Sequence, residues 1–384
     1  MKTKLLLLVL AVYYSAVSFA QCSGTVLSLS APNPSQTATT STWTVPAGGL
    51  YKVRITAKGA KGGIGNCCGG PVYNGGSGAV AVGEFIFSSG QIIEAIAGAP
   101  GFGDGVGGGG AGAGSGARIQ NANTLIIAGG GGGAGIGGSG VDGYILPKGS
   151  GNGGLSGGFL GGFGGGGLNS AGTNGAGSGF GANGGSGSGF GDPGGGGFGG
   201  GGGAINGGGG GGGYSGGNGG SSGSGGAGAG SINYGSNQTN TAGSNNGGGT
   251  LTIECLGAAT FGATTTPTQP ACGATNGSLS INLTGDADGN TSGGVEYAIV
   301  SGNSFGGSPT FADFTADPFT INSGFGTGNG TFTVRVRLKY NPSVYADYTY
   351  TFYSNKSPRR PYHFWQQPME CVWLQQWQRH HWRH

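Results

Sequence analysis

The sequence predicts an all-β protein in which a β-sandwich carries a long glycine-rich insertion and is followed by a second β-sandwich. Three observations predict this. Glycine makes up 102 of 384 residues, far above the usual share of about 7%, and half of it falls within residues 151–250. That block holds a single charged side chain, Asp192. On either side of it, Val, Ile, Tyr, Phe and Thr alternate with polar residues at the two-residue period of strands.

The first residues read as a secretory signal peptide over 1–20. Lys2 and Lys4 form a basic start, Leu5–Val12 an apolar run, and Ser18-Phe19-Ala20 a small-x-small cleavage site. The apolar run is too short to span a bilayer comfortably, and no other segment is apolar enough to cross one. Export puts the six cysteines in an oxidising compartment, where disulfides are the default. Cys22 and Cys255 flank the first domain, 21–256, and their position favours pairing. Cys67-Cys68 in "GNCCGG" can form a vicinal disulfide or pair outward, and the spacing of a four-cysteine metal site is absent.

After a Ser/Thr-rich lead-in, Tyr51, Val53, Ile55 and Ala57 face one way and Lys52, Arg54, Thr56 and Lys58 the other, giving a half-buried strand. "SGAVAVGEFIFSSG" and "QIIEAIAGAPG" give two more, and "GARIQNANTLIIAGGGGG" a short pair. The glycine block runs from about 129 to 249, and "GTLTIEC" closes the domain with a final strand. The block is therefore an insertion in a β domain, with both ends held by strands.

These elements resemble the glycine-rich domain of bacterial surface proteins and of anaplastic lymphoma kinase-type receptors. The likeness rests on "WTVPAG", "AKGAKGG", "GAVAVGEFIFSSGQIIEAIAGAPG", "LIIAGGGGGAG", the glycine tract and "GGTLTIEC" in that order, over about residues 40–255. It implies glycine segments wound as packed polyglycine-II helices. Such helices have no internal hydrogen bonds, so their backbone groups must bond to neighbours or water. A disordered tract would have little use for so many Phe and Leu, and Phe190, Phe198, Ile205 and Tyr214 are the expected anchors of the bundle.

"GAATFGATTTPTQP" reads as a hinge into a second domain over 257–353. Strands are expected at Ser278–Leu283, Val295–Val300, Thr331–Leu338 and Asp347–Phe352, with the length and turn spacing of an immunoglobulin-like sandwich. "PTQPACGATNGSLSINLTG" is similar to the start of the SprB-type repeats of Bacteroidetes gliding adhesins, although the usual closing glycine-cysteine is missing. Residues 354–384 break with the rest of the chain: no glycine, all four histidines and four of the five tryptophans. Because Trp has only the codon TGG, reading one base later converts each to Gly, so a frameshift near Ser354–Pro361 accounts for the tail.

Charge and chemistry exclude several classes. The formal +3 comes from the signal peptide and the tail; without them the balance is acidic, and nothing basic remains to bind nucleic acid. Outside the tail there is no histidine for a Ser-His-Asp or Cys-His arrangement. The carboxylates are scattered rather than paired as glycoside hydrolysis needs. The G-x-G-x-x-G matches are what a tract this rich in glycine produces by chance. No cofactor is implied beyond a weak calcium pattern. "GDADGNT" spaces Asp286, Asp288 and Asn290 as in a calcium loop but lacks the downstream glutamate, and it reads better as a turn. The expectation is a non-enzymatic exported structural or adhesive protein whose partner is a protein, matrix or glycan. The alternatives are an ice- or glycan-binding protein, or the accessory region of a truncated secreted hydrolase.

Overall fold

The computed structural model describes residues 22–353, apart from 68, 104–105, 148–150, 174–175, 188–190, 271–276, 288–289, 291–293, 303–306, 324 and 326–329. Among these residues every regular element is a strand. The first sandwich pairs two five-stranded antiparallel sheets. One has the order β1-β10-β3-β4-β9, built from Gly24–Ser30, Thr250–Ala258, Leu50–Lys58, Gly78–Ser88 and Ser236–Asn245. The other is β2-β5-β6-β7-β8, from Thr39–Thr44, Ile92–Ala97, Ser115–Ile119, Thr124–Ala128 and Ile232–Asn233.

The alternation expected around Tyr51–Lys58 is present: Val53, Ile55 and Ala57 are buried, and their neighbours Lys52, Arg54 and Thr56 are half-exposed. They meet Phe85, Phe87, Ile93, Leu125, Ile126, Leu251 and Ile253 in one core, all of them fully buried. Burying a Leu, Ile or Phe side chain contributes about 1.5–3 kcal/mol, so this core anchors everything attached to it. Cys22, just before β1, is disulfide-bonded to Cys255 on β10, with Cα atoms 5.5 Å apart. The two ends of the domain are thereby joined across a sequence separation of 233.

Three regions differ from the sequence-based expectation. The Ser/Thr-rich lead-in contains β1 and β2. The last part of the proposed glycine block, up to 249, contains β8 and β9, and β9 (SNQTNTAGSN) pairs with β4. β9 lacks an apolar stripe and takes strand form from pairing with a core strand, whereas Leu27 and Leu29 of β1 and Trp43 of β2 pack against the core. The "TFGATTTPTQ" hinge is β11, Phe261–Thr268, paired with β12, Ser278–Gly285. Pro267 is tolerated there because β11 is an edge strand, where a missing N–H removes no ladder bond.

The second sandwich faces the three-stranded sheet β11-β12-β15 against the four-stranded sheet β14-β13-β16-β17. Its remaining strands are Val295–Ser301 (β13), Ala312–Asp313 (β14), Phe319–Ile321 (β15), Gly330–Leu338 (β16) and Tyr345–Phe352 (β17). Leu279, Ile281, Leu283, Val334, Val336 and Leu338 fill its core. Of the segment with the calcium-loop spacing, Asp286 and Ala287 form a turn directly after β12. There the Asp286 carboxylate accepts the Thr260 N–H at 2.9 Å and lies 3.5 Å from Lys52 Nζ, and Asn290 N–H donates to Ala287 O. Asp288 lies outside the described residues.

The two sandwiches are docked. The β16–β17 turn inserts Tyr340 edge-on against Phe85, with ring centroids 5.2 Å apart, and Ile86 N–H donates to its phenol oxygen at 3.0 Å. Asn341 Nδ2 donates to Ile86 O and Gln91 Oε1, and Gln91 Nε2 donates back to Asn341 Oδ1. This closed set of bonds satisfies the buried polar groups of the turn, which would otherwise be costly to desolvate.

The strand register also sets Arg54 between Glu84 and Glu254 on the outer face of β3, β4 and β10. Glu84 is nearly buried. Burial alone would raise its carboxyl, but a hydrogen bond from Asn237 at 2.7 Å, Lys52 at 2.9 Å and Arg54 at 2.8 Å outweigh it and hold the group at about 2. An acid whose folded value is depressed stabilises the fold above its unfolded value, and that contribution is lost as pH falls toward 2. Glu84→Gln is therefore expected to lower unfolding free energy at pH 7 by roughly 2–3 kcal/mol. In urea titrations from pH 7 to pH 2, the gap from wild type should close below about pH 4.5.

Candidate functional site

The feature that distinguishes this molecule is the array of glycine segments growing from the end of the first sandwich. Segment 129–135 follows directly from β7. Gly130 and Gly133 donate their N–H groups to Gly212 and Gly209, Gly131 and Ala134 to Ala60 and Gly63, and Gly132 and Gly135 to Val141 and Gly138. Its carbonyls accept in the same rhythm. Those of Gly129 and Gly132 take Ala79 and Gly76, those of Gly130 and Gly133 take Ala229 and Gly226, and those of Gly131 and Ala134 take Gly112 and Gly109. Each surrounding segment is met at every third residue.

Segment 207–214 repeats the pattern. Gly208, Gly211 and Tyr214 donate to Ser224, Ala227 and Gly230; Gly209 and Gly212 to Gly109 and Gly112; Gly210 and Gly213 to Phe163 and Gly166. The array is thus wider than the tract apparent in the sequence. It also takes in 59–66 after β3, 73–77 before β4, and 98–103 and 106–114 between β5 and β6.

The packing distance explains the composition. A Cβ built on Gly130, Gly131, Gly132 or Gly133 would lie 1.9–2.2 Å from a carbonyl oxygen of an adjacent segment. No rotamer relieves such an overlap, because both partners are backbone. Alanine is used where the lattice leaves room: Ala60, Ala99, Ala111, Ala113, Ala134, Ala204 and Ala229 are all almost fully buried.

The larger side chains sort by position. At the sandwich end, Phe198 is fully buried with Ile96, Ile127 and Ile232, and Tyr214, Leu168 and Phe180 pack against them. Phe180 meets Phe198 edge-on at 5.6 Å and carries the Arg118 guanidinium 4.5 Å over its other face. Of the expected anchors, Phe198 and Tyr214 therefore fasten the array to the sandwich. Ile205 is half-buried at the opposite end, and Phe190 lies outside the described residues. Cys67 is in disulfide form, while Cys68 is outside the described residues.

The opposite end is a terminal layer of lateral bonds. Asn66 and Gly107 bond reciprocally, as do Gly65 and Tyr73; Gly108 donates to Ile205 O, Ile136 to Asn206 O, and Asn206 and Gly207 to Leu160 O. Val72, Val106 and Phe159 project from turns in this layer, 56%, 59% and 93% exposed, with Leu160 beside them at 40%. Along the sides, Asn152 and Leu155 on one segment and Asn218 and Ser221 on its neighbour are exposed pairs three residues apart. Gly216 and Gly219 join the two segments by donating to Asn152 O and Leu155 O.

A cleft of about 230 Å³ opens where array and both sandwiches meet, lined by Asn123, Thr124, Leu168, Tyr234, Lys339 and Tyr340. Lys339 is held there by Asp313 at 2.8 Å. Among the described residues no group of His, Cys, Asp or Glu is placed to hold a metal ion, and no helix is long and apolar enough to cross a membrane. No protein-family model matches the chain, and no curated protein matches it.

The lattice makes a sharp prediction. Gly133→Ala puts a methyl 1.9 Å from Gly109 O, whereas Gly137→Ala meets only Gly223 O at 3.3 Å. Thermal or urea unfolding should show Gly133→Ala destabilised by about 3 kcal/mol and Gly137→Ala by no more than about 1 kcal/mol.

Proposed function

We propose that this is an exported, non-enzymatic structural or adhesive protein that presents its glycine segments as a rigid bundle of polyglycine-II helices to a protein or matrix partner. The observation that carries the reading is the three-residue rhythm of the lateral hydrogen bonds. Three residues per turn with no internal bonds is the repeat of a polyproline-II-type helix. A chain in that form must find its partners sideways. The resemblance to glycine-rich surface domains, the signal-peptide pattern and the absence of histidine from the sequence before the tail support the same reading.

Such a bundle works by geometry. Flat sides with few charges and short side chains offer a partner closely spaced backbone and small polar groups at little ordering cost, since the surface is already rigid. The docking of the second sandwich through Tyr340 and Asn341 supports presentation as one body.

Amide exchange tests the premise. Glycine amides of 129–135 and 207–214 should be protected to the level of core strands such as β3, and exchange at intrinsic rates would refute the bundle. Function follows by retention of the chain on a surface coated with extracellular-matrix protein. Retention should persist in a calcium chelator and fall with Gly133→Ala; wild-type protein washing off such surfaces while its glycine amides remain protected would refute the adhesive role.

A further inference from the structure

We propose that Lys52 and Asn237 join in an isopeptide bond, formed within the folded chain with release of ammonia, and that Glu84 carries the protons between them.

The three residues lie on neighbouring strands of one sheet, β3, β4 and β9. Glu84 Oε2 is 2.9 Å from Lys52 Nζ and accepts a hydrogen bond from Asn237 Nδ2 at 2.7 Å. The nitrogen that would attack and the nitrogen that would leave therefore share one carboxylate oxygen. That is the placement a general acid–base needs to move a proton from one to the other. The neighbouring side-chain amides are engaged differently: Asn233 Nδ2 donates to Val82 O, and Gln238 Nε2 donates to Asn233 O and Gly235 O.

The backbone places Asn237 there by a local irregularity. Val82 pairs with Thr239 and Glu84 with Ser236, so β9 carries one residue more than β4 between these pairs. Asn237 sits in this bulge at φ +48°, a left-handed conformation that asparagine takes more readily than most residues. Bulges of this kind re-aim a side chain.

The charges also leave Lys52 to spare. Arg54 stands directly opposite Glu84 in the register and donates to its other oxygen, Oε1, at 2.8 Å. One nearly buried carboxylate thus has two cations. When Lys52 becomes a neutral amide, Arg54 still pairs with Glu84, so no buried charge is left without a partner.

The chemistry balances without another reactant. Lys52 begins as an ammonium and passes one proton to Glu84 Oε2. The freed lone pair attacks Asn237 Cγ, and the carbonyl π electrons move to oxygen. Glu84 delivers its proton to Nδ2 and takes a second from Nζ. The carbonyl re-forms as the Cγ–Nδ2 bond breaks, its electron pair leaving with ammonia, which escapes because Asn237 is exposed. Glu84 then gives its proton to the ammonia and ends as a carboxylate, with a free ammonium ion in place of the lysine's. Glu84 holds Lys52 in its charged form, so the attacking amine is the minor form, and proximity in the fold is what drives the reaction.

The bond would clamp the base of the glycine array. β3 leads into segment 59–66, and β9 follows the last glycine segment, so residues 52 and 237 enclose the whole insertion. The Cys22–Cys255 disulfide closes a larger loop around it, and an amide, unlike a disulfide, survives reduction.

The test is mass spectrometry of the reduced full chain after proteolysis. The expected product is a branched peptide joining Lys52 to Asn237, about 17 Da lighter than its two parts, with no tryptic cleavage after Lys52. Proteolysis locates the loss, because an N-terminal Gln21 sheds the same mass on cyclising. Lys52→Arg keeps a cation beside Glu84 but should give two separate peptides, as should Asn237→Ala, and both reduced chains should run behind wild type in a denaturing gel. Glu84→Gln should form the cross-link about a hundredfold more slowly. Separate peptides from wild type after prolonged incubation in mildly alkaline buffer would overturn the proposal, as would Lys52 joined to a different residue. Cross-linking of Glu84→Gln at the wild-type rate would remove Glu84 from the reaction.

Discussion

The architecture depends on backbone-to-backbone hydrogen bonding between segments that have no side chains to keep them apart. Segment 129–135 donates and accepts sideways at successive residues, so its polar groups are satisfied without belonging to a helix or a sheet. A lateral bond of this kind contributes about 0.5–1.5 kcal/mol net. That is comparable to the backbone entropy lost per residue, about 1–2 kcal/mol, and glycine loses the most. An isolated glycine segment would not remain ordered on these terms. It does so here because neighbours surround it and its ends continue into strands.

The first sandwich supplies that boundary condition. β3, β4, β5, β6 and β7 all end or begin at the same edge, so the segments continuing from them start in place. Phe198 and its neighbours seal the junction, and the Cys22–Cys255 disulfide together with the Glu84 charge network holds the sheet that carries it. The second sandwich braces the first through the Tyr340 turn. Side chains in the array are consequently segregated to its base, its flanks and its terminal layer, and each group is given a different task by its surroundings.

Much of this organisation was legible in the residues. Alternation at Tyr51–Lys58 and at Thr331–Leu338 marked strands because one face of each is buried. The flanking "LIIAGG" and "GGTLTIEC" showed the tract to be an insertion, and Phe198 and Tyr214 were identifiable as anchors from their rarity. Harder to read were β9 and β11, whose Asn, Thr and Gly carry no apolar period and become strands only through a partner. Residues 59–66, 98–103 and 106–114 carry only a local excess of glycine, which does not by itself mark membership of the array. The terminal layer was equally hidden, since Val72, Val106 and Phe159 are separated by long stretches of chain.

The sequence by itself determined the all-β class and the two-sandwich plan, because burial periodicity and composition are local properties of the chain. Tertiary structure alone decided which glycine segments lie side by side, which alanines fit between them and which apolar residues share one end. Those facts arise from a lattice whose contacts are between backbones, and backbone atoms are the same at every residue. Glycine permits the close approach, but it carries no side chain that could specify the partner, so the choice rests with the strands at either end.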